Sequence, residues 1–204
     1  MPETKAKKGK IFVFSAPSGA GKTTLINFVL ATVPDVVYSI SATTRPPRPG
    51  EIDGRHYFFM SEEEFKRRAK KKEFAEWAFV HGYYYGTPRS FIDAAVARGR
   101  HVIMDIDVAG KKKFDRVYPE AVGILVLPPG MEDLERRLRN RRSDDEAAIR
   151  LRLVNAAREM EFAKSEGKYE YTVINDDLER AKQEAARIVR SLAGSPAGER
   201  QKLT

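Results

Sequence analysis

The 204-residue chain contains no cysteine, which excludes a disulfide framework and any metal site built from thiolates. It also lacks an apolar run approaching the roughly 18 residues that a membrane-spanning helix requires. The opening segment MPETKAKKGK has no apolar stretch typical of a signal peptide. We therefore expect a cytoplasmic protein without a membrane partner. The three histidines have no neighbours at metal-ligand spacing, so no role is assigned to them.

The surplus of positive charge has two interpretations. The formal net charge is +8, from 37 Lys and Arg against 29 Asp and Glu. Basic domains are typical of nucleic-acid binding. Here, however, several lysines are concentrated in the leading segment, and acidic residues are interspersed almost everywhere else. We therefore favour small phosphorylated ligands over a nucleic-acid partner. Both a monomer and a homodimer are compatible with the sequence.

Apolar runs that alternate with helical patterns predict an α/β fold. The runs at 10–16, 101–107, 121–127 and 171–175 are nearly continuous, as expected of strands buried on both faces of a parallel sheet. Helical periodicity covers 23–31, 131–140, 145–164 and 178–193. This order predicts a three-layer sheet with right-handed crossovers. The charged run Lys111–Lys113 is typical of a solvated helix face.

Residues 41–97 interrupt this alternation. The segment is rich in Pro, Gly, Tyr and Phe, and its one charged helical pattern is SEEEFKRRAKKK at 61–72. It predicts a small mixed insertion between the first helix and the next core strand.

The stretch SAPSGAGKTT, residues 15–24, matches a phosphate-binding loop except that Ala16 replaces the first glycine. Alanine is tolerated there if its φ is negative. Backbone N–H groups and a helix N-terminus favour a polyphosphate. Lys22 would reach the β- and γ-phosphates, and the Thr23 hydroxyl would bind Mg²⁺. The predicted loop contacts are Ala16, Pro17, Ser18, Gly19, Ala20, Gly21, Lys22, Thr23 and Thr24.

A second phosphate site is indicated by SATTRPPRPGEIDGRHYFF at 41–59. Arg45 and Arg48 are two forked cations three residues apart, and the intervening prolines keep the segment extended. Tyr57 could add a neutral donor. Seen alone, the segment is equally compatible with a solvated proline-rich loop.

Two further segments carry charges suited to a nucleotide site. MDID ends a buried strand, so Asp105 and Asp107 are expected to point into the cleft, Asp105 towards Mg²⁺ and Asp107 towards a nucleotide. RRLRNRR at 136–142 carries five arginines, with Arg152 further along. Its alternative interpretation is a solvated basic face.

TTRPPRPGEIDGRHYFFM at 43–60 resembles the signature of the guanylate kinase family. SAPSGAGKTTL, EFAEW, YYYGTP, MDIDVAG, LPPGMEDLERRL and VINDDL also resemble motifs of that family, in the same order. The resemblance implies a P-loop NTPase core with a helical lid and a small mixed α+β insertion that binds a nucleoside monophosphate. The implied core is 9–40, 98–136 and 166–193, the insertion 41–97 and the lid 137–165, with polar ends at 1–8 and 194–204.

The resemblance also implies MgATP and GMP as substrates and reversible formation of ADP and GDP. It assigns Arg45, Arg48, Tyr57 and Tyr85 to the GMP phosphate, and Ser41, Glu76, Thr87 and Asp107 to the guanine. It assigns Arg137, Arg141 and Arg152 of the lid, with Lys22 and Arg45, to phosphoryl transfer, and Asn175 to the adenine. The chemistry of guanine agrees, because its N1–H and 2-amino donors suit a carboxylate such as Glu76.

Three other functions remain as alternatives: a non-catalytic interaction module on the same scaffold, a kinase with a sugar bisphosphate acceptor, and a nucleic-acid binder. The intact Lys22 and Thr23 count against the module, and Glu76 with Ser41 counts against the sugar kinase.

Overall fold

The computed structural model describes residues 8–80, 82–140, 145–165 and 167–194. The described strands are β1 Ile11–Ser15, β2 Val36–Tyr38, β3 Ala42–Thr43, β4 Phe58–Phe59, β5 Phe74–Val80, β6 Tyr83–Pro88, β7 His101–Asp105, β8 Val122–Leu127 and β9 Tyr171–Ile174. The described helices are α1 Lys22–Thr32, α2 Glu62–Lys70, α3 Arg89–Ala97, α4 Val108–Phe114, α5 Met131–Asn140, α6 Glu146–Ser165 and α7 Leu178–Ala193.

Five of these strands form a parallel sheet in the order β2-β7-β1-β8-β9. The first strand lies at its centre, with Phe12 paired to Ile103 on one side and to Val122 on the other. All five residues of β1 are buried, which explains its uninterrupted apolar sequence. The carboxyl ends of these strands meet at one edge, where the phosphate loop, Asp105 and Asn175 follow them.

Helices cover both faces of this sheet. On one face, α1 and α7 pack on Phe12 and Phe14, with Leu25 and Val189 fully buried between the layers. On the other face, α3 and α4 pack on Ile11 and Val13. The predicted three-layer α/β architecture is confirmed. No described helix combines the length and apolar character needed to cross a membrane.

A second, smaller sheet in the order β4-β3-β6-β5 lies within the predicted insertion. It is mixed, because β3 pairs parallel to β4 and antiparallel to β6. Helix α2 covers it through Phe65, which is fully buried and stacks on Phe74 at a ring-centroid distance of 4.4 Å. Ser61 caps α2 by accepting a hydrogen bond from the Glu64 N–H. This small aromatic core holds β5 and β6 in place.

Two short helices were not delimited from sequence: α3 was not predicted, and α4 was anticipated only as a helix face at Lys111–Lys113. Helix α3, within the segment assigned to the insertion, buries Ile92 and Ala95 against the large sheet. Helix α4 begins where Asp107 caps it by accepting a hydrogen bond of 2.5 Å from the Gly110 N–H. At nine and seven residues, both are too short to give a strong periodic signal.

The interpretation of Lys111–Lys113 as a solvated face is wrong for Lys111. Its side chain is 1% exposed, and Nζ lies 2.7 Å from a carboxylate oxygen of Asp115 and 2.9 Å from the Lys168 carbonyl oxygen. Glycine at position 123 leaves room for the Lys111 side chain, since a Cβ there would come within 2.9 Å of that side chain. The buried charge is stable because an ion pair and a carbonyl replace its hydration. Lys112 and Lys113 are exposed.

Candidate functional site: a phosphate loop, an arginine–tyrosine cluster and a buried carboxylate

The phosphate loop joins the buried strand β1 to the N-terminus of α1. Gly19 and Gly21 have φ values of 92° and 95°, which only glycine adopts readily. Ala16, by contrast, is not among the described residues with positive φ. The alanine at the first position of the motif is therefore compatible with the loop conformation. Backbone N–H groups at the start of α1 provide the setting for an anion.

A cavity of about 360 Å³ opens over this loop. Its lining consists of Ala16, Pro17, Ser18, Gly19, Gly21, Lys22, Thr23, Thr24 and Glu159. Glu159, from α6, is the one acidic side chain in this lining, and sequence reasoning missed it. Its position seven residues after Arg152, two helical turns along the same face, is the signal that could have indicated it.

The Asn175 side chain holds the backbone of the phosphate loop. Its side-chain amide donates a hydrogen bond of 2.7 Å to the Ala20 carbonyl oxygen and is buried. A Cβ added to Gly21 would overlap the same amide nitrogen, so glycine is required there for space as well as for φ. Asn175 is not part of the cavity lining. Its observed contact is with the loop backbone, and a contact with adenine stays a prediction.

Lys22 lines the cavity over the phosphate loop, which we call the donor cavity, and forms an ion pair with Asp105. The lysine Nζ lies 3.4 Å from Asp105 Oδ2, and the Tyr38 hydroxyl donates to the other carboxylate oxygen. Burial, reinforced by the Asp105 charge, raises the pKa of Tyr38 above its usual value, so the phenol stays protonated and donates. Tyr38, at the end of β2, orients Asp105 and was not found from the sequence.

Oxygen ligands suited to Mg²⁺ are present beside Lys22. Thr23 lines the cavity with its hydroxyl, and Asp105 supplies a half-exposed carboxylate. The described residues contain no group of three or more metal-ligating side chains. These two oxygen ligands fit a metal ion whose other ligands are water molecules and the phosphate oxygens of a bound nucleotide. It does not fit a metal enclosed by protein ligands.

A second candidate anion site, distinct from the phosphate loop, is built around Arg45. Its guanidinium lies 2.9 Å from Glu51 Oε1 and donates to the Pro46 carbonyl oxygen at 2.7 Å. The other carboxylate oxygen of Glu51 accepts from the Arg48 N–H at 2.7 Å. Arg45 therefore stands in a fixed position before any ligand arrives. The Arg45 hydrogen bond holds the pKa of Glu51 below its usual value.

Two tyrosines complete this site. The Tyr57 and Tyr85 rings meet edge to face, with centroids 6.1 Å apart. The Arg45 guanidinium lies 5.4 Å from the centroid of the Tyr57 ring. The structure thus brings Arg45, Tyr57 and Tyr85 together, while the Arg48 side chain is exposed at the rim.

Glu76, Thr87 and Asp107 lie close together where β5 and β6 meet the start of α4. The Thr87 hydroxyl donates to Glu76 Oε1 at 2.7 Å. Burial raises the pKa of Glu76, and the nearby Asp107 charge acts in the same direction. A Cβ on Gly110 would lie 3.1 Å from Asp107 Oδ1 and 3.5 Å from Glu76 Oε2, so both carboxylates face this glycine. Ser41 directly precedes Ala42, which pairs with Gly86, so the backbone brings Ser41 beside Thr87.

The described arginines of α5 and α6 separate into inward and outward groups. Arg137 donates to the Asn175 carbonyl oxygen at 2.6 Å, and Arg152 lies 3.4 Å from Ser18 Oγ. Arg136 instead pairs with Asp133, and Arg139 with Glu135 and Glu146, on the exposed side. Arg141 lies outside the described residues. Two arginines from different helices thus reach the surroundings of the phosphate loop.

Comparisons with known proteins point to one family. A family model described as guanylate kinase matches residues 8–192. The guanylate kinase of Thermotoga maritima is 46% identical over 184 residues, covering 90% of this chain and 87% of the relative. That of Myxococcus xanthus is 49% identical over 173 residues, covering 85% and 82%. A solved guanylate kinase from Anaplasma phagocytophilum superposes with a TM-score of 0.70 at 34% identity, covering 92% of this chain and 87% of that one.

Proposed function

The chain belongs to the guanylate kinase family, and we propose that it transfers the γ-phosphoryl group of ATP reversibly to GMP, giving ADP and GDP. The observation that carries the proposal is that the chain holds two candidate phosphate sites together with a half-buried carboxylate, Glu76, that is oriented by Thr87. One site is a phosphate loop with its lysine, and the other is the cluster of Arg45, Tyr57 and Tyr85.

Selectivity for guanine follows from the Glu76 carboxylate. Guanine offers N1–H and 2-amino donors to a carboxylate, whereas adenine would place the lone pair of its N1 against it. Leaving a half-buried carboxylate unpaired costs about 1–3 kcal/mol, so adenine is disfavoured. Thr87 fixes one carboxylate oxygen, and Ser41 and Asp107 lie where they can contact the rest of the base.

The proposed chemistry depends on positioning and charge neutralisation rather than on a covalent intermediate. Lys22 neutralises charge on the donor phosphates, and Arg137 and Arg152, with Arg141 by family resemblance, stabilise the group in transfer. Arg45 and Arg48 hold the acceptor phosphate, which is already ionised and needs no general base. Mg²⁺ would supply further charge neutralisation on the phosphates, with Thr23 and Asp105 as its protein ligands.

Movement of the lid and of the insertion is part of the proposal. Closing the two over both nucleotides would exclude the water that otherwise accepts the phosphoryl group. Within the insertion (41–97) and the lid (137–165), the parts expected to move are those that do not pack on the core, since α3 and Ala163 are buried against it. A cytoplasmic location is also proposed, and a cysteine-free chain suits that reducing compartment.

An acceptor panel tests the proposal directly. ADP release is measured from MgATP with GMP, AMP, CMP or UMP, and we expect turnover with GMP far above the other three. Lys22→Ala is expected to lower turnover by orders of magnitude while the circular dichroism spectrum persists. Lys70→Ala, an exposed lysine on α2, is the matched control. Equal turnover with all four acceptors, or no turnover at all, would contradict the proposal.

A further inference from the structure

Helix α6 carries two regular rows of side chains. Ile149, Ala156 and Ala163, spaced by seven residues, are buried against α5 and the core. Arg152 and Glu159, also seven apart, form a second row that points towards the phosphate loop. Seven residues are close to two helical turns, so the members of each row lie on one face. The first row anchors the helix to the rest of the protein, and the second row faces the loop.

Both members of the second row lie beside Ser18 of the loop. Arg152 Nη1 lies 3.4 Å from Ser18 Oγ, and Glu159 shares the lining of the cavity over the loop with Ser18. Lys22 lines the same donor cavity. The helix thus faces the loop at two points, one cationic and one anionic.

The Glu159 carboxylate is held in an unusual environment for a charged group on a helix surface. Burial is the main cause that raises its pKa, Asp107 adds to the increase, and Lys22 and the Ser18 N–H oppose it. A half-buried carboxylate loses hydration, and the lost hydration is replaced here only by groups of the phosphate loop. These compensating contacts exist only while α6 lies against the loop.

We propose that Glu159 is a positioning residue that docks α6 onto the phosphate loop through the Ser18 N–H and thereby holds Arg152 beside the donor phosphates. The proposal depends on the proposed function, because it assigns Glu159 a part in the same phosphoryl transfer. Glu159 itself need not touch the transferred group. Its effect on the rate passes through Arg152, since a small misplacement of a catalytic cation lowers the rate about 10- to 100-fold.

A different role for Glu159 predicts the opposite behaviour. If its carboxylate occupied the anion site as a substitute for phosphate, it would compete with the donor. Removing the charge would then tighten ATP binding and leave the rate of transfer unchanged or raised. The two roles therefore differ in the direction of the effect and in the kinetic parameter that changes.

Two substitutions distinguish the effect of losing the hydrogen-bond acceptor from the effect of changing the shape of the Glu159 side chain. Glu159→Met keeps the length and the helix propensity but cannot accept from Ser18, and we expect kcat to fall about tenfold or more. Glu159→Gln keeps an acceptor oxygen and is expected to retain most of kcat. The KM for GMP is expected to stay within about twofold in both, because the acceptor site is not touched. Glu161→Met, at an exposed position on the same helix, is the control.

A double-mutant cycle tests whether Glu159 acts through Arg152. In an Arg152→Ala background the addition of Glu159→Met is expected to change kcat little, because the residue to be positioned is already absent. A residue with a merely structural role would lower kcat by the same factor in both backgrounds. Glu159→Ala is measured alongside, so the cycle does not depend on the folding of one variant.

Three results would overturn the inference. They are a wild-type kcat in Glu159→Met, an undiminished effect of that substitution in the Arg152→Ala background, and tighter ATP binding with unchanged kcat. The wild-type protein is assayed with GMP in the same series. Failure of that reaction would refute the proposed function, whereas normal wild-type turnover with any of these three results would refute only the role of Glu159.

Discussion

The Thr87 hydroxyl donates a 2.7 Å hydrogen bond to Glu76 Oε1 across the paired strands β5 and β6. The bond fixes the orientation of a carboxylate that burial would otherwise disfavour. Its second oxygen, Oε2, faces Gly110. A Cβ at position 110 would overlap Ile106 Cγ2 at 2.6 Å and would press on Asp107 Oδ1 at 3.1 Å. The carboxylate that we propose as the group recognising the base is thus held in a defined orientation.

Substitution of Glu76 by glutamine tests this recognition. The amide keeps the size of the side chain but replaces one acceptor with a donor that faces the donors of guanine. We expect the KM for GMP to rise about 10- to 100-fold and the KM for ATP to change little. Steady-state kinetics with each substrate varied in turn measures both constants. Glu73→Gln, an exposed glutamate just before β5, is the control, and an unchanged GMP requirement in Glu76→Gln would refute the assignment.

The pH dependence of GMP binding is a separate expectation. Burial raises the pKa of Glu76, so this carboxylate takes up a proton at a higher pH than an exposed glutamate does. Its protonated form cannot accept both donors of guanine, and the KM for GMP therefore rises as the pH falls through the raised pKa. Glu76→Gln should lack this component, whereas protonation of the GMP phosphate affects both proteins equally. Identical pH profiles for the two proteins would contradict the expectation.

Gly21→Ala is expected to lower both the stability and the affinity for ATP. The new methyl group would overlap the Asn175 amide that supports the loop, and a φ of 95° is costly for alanine. Gly82→Ala is the matched control, because its φ is 85° but nothing lies within 4 Å of the added Cβ. Thermal denaturation and ATP titration compare the two variants. Equal losses in both would show that the overlap with Asn175 has no cost of its own.

Arg137→Ala is expected to lower kcat about 100-fold, by analogy with the loss of other groups that stabilise transition-state charge. The neighbouring Arg136 is the natural control, because its side chain is 67% exposed and pairs only with Asp133 among the described ion pairs. Arg136→Ala should therefore keep its activity. Single-turnover measurement of phosphoryl transfer distinguishes the two, and equal activity of both variants would place Arg137 outside the reaction.

Much of the fold and of the phosphate-loop site can be predicted from short stretches of sequence. Strand β1 is continuously apolar because both of its faces are buried, and the phosphate loop directly follows it. The motif, its lysine and its helix are adjacent in sequence, so their juxtaposition needs no knowledge of tertiary contacts. Helices α5 and α7 match their predicted ranges because each has a regular apolar face.

Contacts between distant residues are what the sequence could not show. Asn175 binds the carbonyl oxygen of a residue 155 positions earlier, and Arg152 reaches across 134 positions to Ser18. No spacing rule encodes such a pairing; the spacing from Arg152 to Glu159 indicates a shared helix face but not that this face lies beside Ser18. Lys111 was misjudged for the same reason, because the space that admits it is created by Gly123 on strand β8.

The hydrogen bond from Asn175 to Ala20 also orders events during synthesis of the chain. The phosphate loop emerges from the ribosome early, whereas the amide that supports it follows the last strand of the sheet. The phosphate loop therefore gains this side-chain support only after the chain through Asn175 has been made.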